Sequence, residues 1–339
     1  MIEVSIVVPC RNEEHCIEAC LKSLLAQSFP PEEFEVIVVD GRSSDGSAEV
    51  VRKLQEEWSN LYLLDNPKGI VPTAMNLGIR YARGKFIIRA DAHNVYPPSY
   101  VSDSIRFLLQ TGADNVGGPC VTVPASDSFG ARVVAAVLSN PFGVGNSRFR
   151  TSMKDGFVDT VPFGAFPRRL FDRIGLYNEK LVRNQDNELN ARIRRAGGRI
   201  YLASALATEY HPVRSFRGLL RKTFIESQWH VPTLRENKHS LALRHLVPSM
   251  FVVFLIIFSC LSIFNRRALM VLIGVLVVYF LSAVCFGTHA ARKYGGTLAA
   301  AFPFVLLVFH ATYGLGTLMG LRYLFKDPAP KPIRPGGQV

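Results

Sequence analysis

Two residues that could bind a divalent cation stand close together near position 90. In the segment Arg89-Ala90-Asp91-Ala92-His93, an aspartate and a histidine are two positions apart, directly after the apolar run 86–88. This spacing lets a carboxylate and an imidazole reach one ion, and both groups are ordinary ligands of divalent cations. Such a triplet arises often by chance, but its place after a predicted strand strengthens the signal. Asp91 and His93 are therefore candidate metal ligands.

A second carboxylate stands where it could act as a base. Asp186 directly precedes a helical pattern over residues 187–196, and the helix dipole stabilises an anion at that end. A carboxylate in this position can remove a proton from a hydroxyl group that it faces. A capping role without chemistry is the structural alternative for Asp186. We expect Glu188, two positions further on, to face solvent.

Two further polar segments follow apolar runs near the start of the chain. Asp40 ends the run 34–39, where a carboxylate is costly unless it is used or hydrogen-bonded. It could accept a hydrogen bond from the N–H of a nucleobase. Ser44 or Asp45 is expected to cap the helix that follows. The turn Pro9-Cys10-Arg11-Asn12-Glu13 comes after the first run and could hold a base and a ribose, while an acid-rich helix start is the structural alternative.

Residues 1–125 alternate strand and helix patterns. They predict strands at 4–9, 34–40, 61–64 and 85–89, and helices at 14–26, 47–58 and 71–83. Residues 126–213 predict helices at 129–138, 168–174 and 187–196, a strand near 157–163 and a glycine-rich connection at 141–146. The β–α repetition predicts an α/β fold with a mostly parallel sheet. Ligands of such sheets bind beyond the carboxyl ends of the strands, where three of the four polar segments fall.

The positive charge of the chain is confined to its last third. The formal net charge is +12; residues 1–213 hold 24 basic and 24 acidic residues, and the remainder holds 15 basic and 3 acidic ones. These basic residues are interleaved with long apolar runs. This pattern excludes a nucleic-acid-binding stripe and indicates contact with a membrane.

The last third divides into three predicted parts. Residues 214–246 form a basic amphipathic segment that suits a helix at the bilayer surface, residues 247–325 form a transmembrane region, and residues 326–339 form a polar tail. The apolar spans 247–264, 268–286 and 298–323 each approach the roughly 20 residues that a spanning helix needs.

The location of the chain follows from two further features. No leader pattern precedes the first strand, and the six cysteines lack the spacing of a disulfide framework. We therefore expect a multi-pass protein of the inner (cytoplasmic) membrane, with residues 1–213 in the cytosol. A tight, partly inserted hairpin of the first two spans is the alternative, because three full spans would place the basic residues 266 and 267 outside.

Taken together, the four polar segments resemble a known family. The matching stretches read VSIVVPCRNEE, VIVVDGRSSDGS, GIVPTAMNLGIRYARGKFIIRADAH, VPFGAFPRRLFDRIGLYNE and VRNQDNELNARIRRAGGRIY. In this order, over residues 3–213, they resemble the family-2-type glycosyltransferases with the GT-A fold. The RADAH variant with apolar spans after it looks most like the succinoglycan-type (ExoA-like) transferases of exopolysaccharide assembly. The resemblance implies a Rossmann-like GT-A domain over 1–213.

The resemblance also implies roles for individual residues in donor binding. Pro9, Arg11 and Glu13 would line the nucleotide pocket. Asp40 would bind the uracil end of the donor. Asp91 would approach the ribose and the metal-bridged diphosphate.

Further roles concern the cation, the base and the acceptor. His93 would replace the second carboxylate of the family's D-x-D motif, and His211 could be a third metal ligand, although a lone histidine at the end of a strand more often has a structural role. The family's E-D base motif is Gln185-Asp186 here, so that Asp186 would be the catalytic base. Gly164 would border the acceptor and allow its close approach.

The implied reaction is an inverting, metal-dependent transfer of a hexose. The donor would be a nucleotide-diphosphate sugar, with UDP-hexose as the family's usual choice, and the acceptor would be carried on a polyprenyl diphosphate. Mg²⁺ or Mn²⁺ would be the cofactor, and the expected partners are the donor, the acceptor and membrane lipids, without nucleic acid. One alternative is a polyprenyl-phosphate sugar synthase. Another, from a different class, is a non-catalytic nucleotide-binding scaffold of a membrane assembly complex.

Overall fold

The computed structural model describes residues 1–326, which divide into two compact units. The first consists of Met1–Val121 and Ser152–Tyr210, and the second of Thr122–Thr151 and residues 211–326. The predicted first domain, 1–213, therefore includes residues 122–151 and 211–213, which the structure assigns to the second unit. Apart from residue 326, the predicted polar tail lies outside the described residues.

The first unit is built on an eight-stranded sheet. Its strands are β1 (Val4–Cys10), β2 (Phe34–Asp40), β3 (Leu61–Asp65), β4 (Phe86–Arg89), β5 (Asn115–Gly117), β7 (Gly156–Val158), β8 (Ala165–Pro167) and β9 (Ile200–Leu202), and a separate pair joins β6 (Cys120–Thr122) to β10 (Thr208–Tyr210). The order in the sheet is β3-β2-β1-β4-β8-β5-β9-β7. Only β8 and β7 run antiparallel to their neighbours, so the sheet is mostly parallel, as predicted.

The helices of the first unit cover this sheet. They are α1 (Ile17–Leu25), α2 (Ser47–Glu57), α3 (Val71–Tyr81), α4 (Tyr100–Thr111), α8 (Arg169–Ile174) and α9 (Gln185–Arg195), with short 3₁₀ turns at Pro31–Glu33 and Ser204–Leu206. Apolar side chains of β1, β2, α1 and α4 form one continuous buried cluster. Because β1 and β2 are buried along almost their whole length, their sequences read as continuous apolar runs, which is typical of the centre of a parallel sheet.

The strand predicted near 157–163 is much shorter in the structure. It ends at Val158, and Phe163 has a φ of 53°. A bulky residue in the left-handed region cannot continue a strand, so the chain turns before it enters β8.

The second unit is helical. Its helices are α5 (Phe129–Leu138), α6 (Pro141–Val144), α7 (Arg148–Thr151), α10 (Phe216–Gln228), α11 (His230–Glu236), α12 (Val247–Ser262), α13 (Arg266–Tyr294) and α14 (Leu298–Gly320), with 3₁₀ turns at Leu243–His245 and Leu321–Leu324. The glycine-rich connection predicted at 141–146 contains α6. Helices α5, α10, α13 and α14 share one buried apolar cluster that includes Leu219, Phe302 and Leu306. The predicted amphipathic segment is therefore divided into short helices, and Leu219 of α10 packs against protein.

Two helices of the second unit are long and apolar enough to cross a membrane. They span Arg266–Tyr294 and Leu298–Leu324, with 29 and 27 residues. Helix α13 leaves large apolar side chains exposed, among them Met270, Val278 and Leu281. Helix α12 has only 16 residues, which is short of the ~20 that a span requires. The prediction of three spanning helices is therefore reduced to two within residues 1–326.

Candidate active site

The carboxyl ends of three parallel strands bring the predicted polar segments to one edge of the sheet. Cys10 at the end of β1 is paired with Asp40 at the end of β2, and Val7 of β1 is paired with Arg89 at the end of β4. The loops that begin at residues 11, 41 and 90 therefore leave the sheet side by side. Burial, helped by the negative charges of Asp40 and Glu13, raises the pKa of the Cys10 thiol to about 12, so this thiol stays protonated between the loops.

The loops after β1 and β2 are locked together by hydrogen bonds. The backbone N–H of Asn12 donates to Ser43 Oγ at 2.9 Å, and that of Ser44 donates to Asn12 Oδ1 at 2.7 Å. Asn12 and Arg42 have φ angles of 56° and 57°. Left-handed backbone at residues other than glycine costs free energy and is concentrated at functional sites. The hydrogen bonds therefore join the two loops into one rigid unit.

Asp40 fixes the loop that follows β2. Its Oδ2 accepts the backbone N–H of Ser43 at 3.0 Å, and its Oδ1 accepts the Ser43 hydroxyl. The predicted bond to a nucleobase would use the remaining lone pairs and stays a prediction. Asp45 accepts the backbone N–H of Ser47, the first residue of α2, at 3.0 Å. The N-cap residue is Gly46, without a side-chain cap, so the expectation that Ser44 or Asp45 is the N-cap was wrong.

Arg11 lies between the loops after β2 and β3. Its Nη1 donates to the carbonyl oxygen of Gly69 at 3.0 Å. Gly69 has a φ of +63°, a backbone conformation that favours glycine, and a Cβ there would force the Arg11 guanidinium to shift. Pro9 is half-buried in β1, opposite Val39. Their predicted contacts with a nucleotide remain predictions.

Asp91 and His93 follow β4 at the same edge. Asp91 Oδ1 accepts hydrogen bonds from Arg89 Nε at 3.2 Å and Nη2 at 3.0 Å, and no bond to its Oδ2 is seen among residues 1–326. His93 is 44% exposed, and its Nδ1 lies 3.4 Å from Glu13 Oε1. One oxygen of the Asp91 carboxylate therefore remains for a cation, and the exposed His93 follows two residues further along the chain.

The predicted set of three metal ligands is not present as a cluster. The described part of the chain contains no group of three or more histidine, cysteine, aspartate or glutamate side chains that could hold a metal ion. His211 is exposed directly after β10. An Mg²⁺ or Mn²⁺ ion commonly takes only one or two protein ligands and completes its shell with substrate phosphates and water. Asp91 and His93 fit that kind of site, and His211 stays a prediction.

Arg89 connects the two predicted functional carboxylates, and it is not among the predicted site residues. Its Nη1 donates to Asp186 Oδ1, while its Nε and Nη2 donate to Asp91 Oδ1. The Arg89 side chain is only 6% exposed. Burial alone would lower the pKa of the guanidinium, but Asp186 and Asp91 raise it well above its usual value. The signal in the sequence was an arginine at the end of an apolar strand, because a buried cation needs anionic partners.

Asp186 lies in the first turn of α9, as predicted. Asn184 precedes the helix with a φ of 61°. Burial and the nearby charge of Asp91 raise the pKa of the Asp186 carboxyl, and Arg89 opposes this increase. Its Oδ2 has no hydrogen-bond partner within residues 1–326. The expectation for Glu188 was wrong: this residue is 3% exposed and accepts a hydrogen bond from Arg192 Nε at 2.8 Å.

Gly164 has a structural reason for its missing side chain. A Cβ at this position would lie 2.0 Å from Asn115 Oδ1, and the Gly164 carbonyl oxygen accepts the backbone N–H of Arg89 at 3.0 Å. The close approach that Gly164 allows is therefore to Asn115. A contact with the acceptor is untested.

The chain is similar to known proteins in its sequence and in its fold. The family model described as glycosyl transferase family 2 matches residues 5–175. The succinoglycan biosynthesis protein ExoA of Rhizobium meliloti (strain 1021) is 30% identical over 245 residues, which cover 72% of this chain and 73% of that protein. The dolichyl N-acetyl-alpha-D-glucosaminyl phosphate 3-beta-D-2,3-diacetamido-2,3-dideoxy-beta-D-glucuronosyltransferase of Methanococcus voltae is 25% identical over 327 residues, covering 94% of this chain and 97% of that enzyme.

A solved structure has the same fold. The mannosyltransferase PcManGT from Pyrobaculum calidifontis, in complex with GDP-Man and Mn²⁺, matches with a TM-score of 0.57 and 20% sequence identity. The match covers 96% of this chain and 88% of that one. The predicted α/β class of the GT-A type is thereby confirmed.

Proposed function

The chain belongs to glycosyl transferase family 2, and from this premise we propose that it is an inverting glycosyltransferase that acts on a lipid-linked saccharide. The donor is a nucleotide-diphosphate sugar, with UDP-hexose as the expected choice. The product is an intermediate in the assembly of an exopolysaccharide or a cell-surface glycan. The role in polysaccharide assembly is inferred mainly from the similarity to ExoA, whose name places it in succinoglycan biosynthesis.

The bridge made by Arg89 is the observation that carries the proposal. It joins Asp91, the residue expected to approach the donor diphosphate, to Asp186, the residue expected to act as base. A donor site and a base must lie within one sugar ring of each other for a single displacement to occur. The two carboxylates meet this requirement, because both bond to one guanidinium.

Asp186 removes the proton of the acceptor. Its Oδ1 is held by Arg89, and its Oδ2 receives the proton of the acceptor hydroxyl. The acceptor oxygen then forms a bond to the anomeric carbon on the face opposite the diphosphate, while the bond from that carbon to the diphosphate oxygen breaks. One displacement inverts the anomeric centre and needs no covalent intermediate on the protein. Positioning of the two reactants supplies much of the rate enhancement.

Asp91 and His93 would hold the divalent cation. When bound there, Mg²⁺ or Mn²⁺ supplies positive charge that neutralises the leaving diphosphate. Asp91 offers its Oδ2 for this purpose, because its Oδ1 is occupied by Arg89. His93 would add an imidazole nitrogen, which is a softer ligand than the carboxylate oxygens that Mg²⁺ and Mn²⁺ prefer.

The membrane acceptor is supported by features outside the catalytic unit. The Methanococcus voltae relative, whose name specifies a dolichyl-phosphate-linked sugar as its acceptor, aligns over nearly the whole chain. Two helices of this chain are long enough to span a bilayer, and exposed basic residues of α10, Arg217 and Arg221, would attract anionic headgroups. We infer attachment to the inner membrane, with the catalytic unit in the cytosol.

A screen of radiolabelled nucleotide sugars tests this function. Membranes that contain the protein are incubated with each donor and Mg²⁺ or Mn²⁺, and the label is measured in the lipid extract; membranes with the Asp186→Asn variant are the control. We expect one donor to label a lipid-linked saccharide. A labelled polyprenyl monophosphate sugar would instead identify the synthase alternative, and nucleotide binding without transfer from any donor would identify the scaffold alternative.

A further inference from the structure

We propose that Arg89 is a positioning residue that sets the separation between the donor-binding carboxylate and the base. This inference rests on the proposed function, since it assigns Asp91 to the donor and Asp186 to the acceptor. Arg89 binds one oxygen of each carboxylate and leaves the other oxygen of each available. The guanidinium thereby acts as a rigid spacer between the two halves of the reaction.

The hydrogen bonds use two different edges of the guanidinium. The edge formed by Nε and Nη2 faces Asp91, and Nη1 faces Asp186. These donors lie in one plane at fixed angles, so the positions of the two carboxylates are fixed relative to each other. The single ammonium group of a lysine carries the same charge but cannot reproduce this planar geometry.

The surroundings of Arg89 keep the spacer from moving. Its backbone N–H donates to the carbonyl oxygen of Gly164 at 3.0 Å. Its guanidinium carbon lies 5.9 Å from the centre of the Phe163 ring. Tyr177 is also close: burial raises the pKa of its hydroxyl, and the positive charge of Arg89 lowers that pKa by a smaller amount. A group that is 6% exposed and held on these sides has little freedom to change rotamer.

The Arg89→Lys variant tests the spacer, with Arg83→Lys as the matched control. Arg83 also pairs with a buried carboxylate, that of Glu35, with an N–O distance of 2.6 Å, but it precedes β4 and lies at the opposite end of the sheet. A displacement of about 1 Å in a reacting group can cost ~100-fold in rate. We expect Arg89→Lys to lower kcat about 100-fold, with less than about 5-fold change in the affinity for UDP and Mn²⁺ measured by titration calorimetry. Arg83→Lys should keep kcat within about 2-fold.

A double-mutant cycle separates positioning from general damage. If Arg89 acts through Asp186, Arg89→Lys should lower the residual activity of Asp186→Asn by less than about 3-fold, because residues that act as a unit are not additive. Full additivity of the two losses, or a kcat for Arg89→Lys within about 3-fold of wild type, would overturn the inference. Failure of the wild-type protein to transfer any sugar would overturn the proposed function instead.

Two gentler variants cover the case in which Arg89→Lys does not fold. Phe163→Leu removes the ring beside the guanidinium, and Tyr177→Phe removes the hydroxyl whose pKa Arg89 lowers; neither change touches the two carboxylates. We expect each to lower kcat about 3-fold to 10-fold, with the KM for the donor unchanged, because a cation–π contact or a hydrogen bond is worth about 1 kcal/mol. Wild-type kcat in both variants would contradict a spacer held by its packing.

Discussion

Two clusters of arginine and carboxylate stand at opposite ends of the same strands. At the amino ends, Glu35 is completely buried and accepts four hydrogen bonds: from the Ser5 hydroxyl at 2.7 Å, from the Arg83 backbone N–H at 2.8 Å, and from Arg83 Nε and Nη2 at 2.8 and 2.6 Å. At the carboxyl ends, Arg89 donates hydrogen bonds to one oxygen of Asp91 and to one oxygen of Asp186. The second oxygen of each has no partner among the described residues.

This difference separates a structural cluster from the one that we propose to be reactive. A buried carboxylate whose lone pairs are all used has nothing left to offer a ligand, and its contribution is to stability. A buried carboxylate that keeps one oxygen open can bind a cation or take a proton. The cluster at the amino ends of the strands therefore stabilises the first unit, and the cluster at the carboxyl ends has the carboxylate oxygens that could bind a ligand.

The largest expected effect is that of Asp186→Asn. This change preserves the shape of the side chain and its bond to Arg89 but removes the oxygen lone pair that accepts the proton. Because a general base contributes about 10²–10⁴-fold to rate, we expect kcat to fall by that factor. Binding of UDP and Mn²⁺, measured by titration calorimetry, should stay near the wild-type level. Turnover close to normal would refute the assignment of Asp186 as base.

The opposite cluster should respond to substitution in stability only. Arg83→Met leaves the Glu35 charge buried without its partner, which should lower the free energy of unfolding by about 3 kcal/mol. Arg52 pairs with Glu49 on the surface at 2.7 Å, and Arg52→Met should cost less than about 1 kcal/mol. Denaturant unfolding of the detergent-purified protein measures both. A loss of kcat per folded molecule in Arg83→Met would contradict the assignment of a purely structural role to the cluster at the amino ends.

The sequence predicts the sheet and its reactive edge because both depend on local patterns. Apolar runs define β1, β2 and β4, and the rule that parallel strands present their carboxyl ends together brings Asp40 and Asp91 to one edge. This rule does not predict the position of Asp186, which lies on helix α9, 97 residues beyond Arg89 in the chain. Their contact depends on how the irregular stretch between them folds, and no local periodicity encodes that path.

Two other predictions failed for identifiable physical reasons. Glu188 stands among polar residues, so it was expected to face water, but the i,i+4 ion pair with Arg192 allows it to be buried. The pattern that marks such a pair was present in the sequence. Composition predicts a span at 247–264, whereas helix α12 ends at Ser262 after 16 residues, fewer than the ~20 that a full span needs.

A smaller effect is expected at the cation site. His93→Ala should raise the Mn²⁺ concentration that gives half-maximal activity by about 10-fold or more, because an imidazole ligand is lost while Asp91 remains. His239, an exposed histidine of the second unit, is the control, and His239→Ala should leave the titration unchanged. An unaltered Mn²⁺ dependence in His93→Ala would mean that the open oxygen of Asp91 binds the cation without this imidazole.

The smallest effect, and the one that distinguishes the clusters most directly, is on the pH dependence of kcat. Burial raises the pKa of Asp186, and the base must be ionised to accept a proton, so kcat should fall as the pH decreases through that raised pKa. The acid limb of kcat should therefore lie above the value of about 3.9 that is usual for aspartate. Arg83→Lys should keep this limb, because Glu35 takes no part in the reaction, and the residual activity of Asp186→Asn should lack it. A limb that persists in Asp186→Asn would assign the titration to another group and place the base elsewhere at this edge of the sheet.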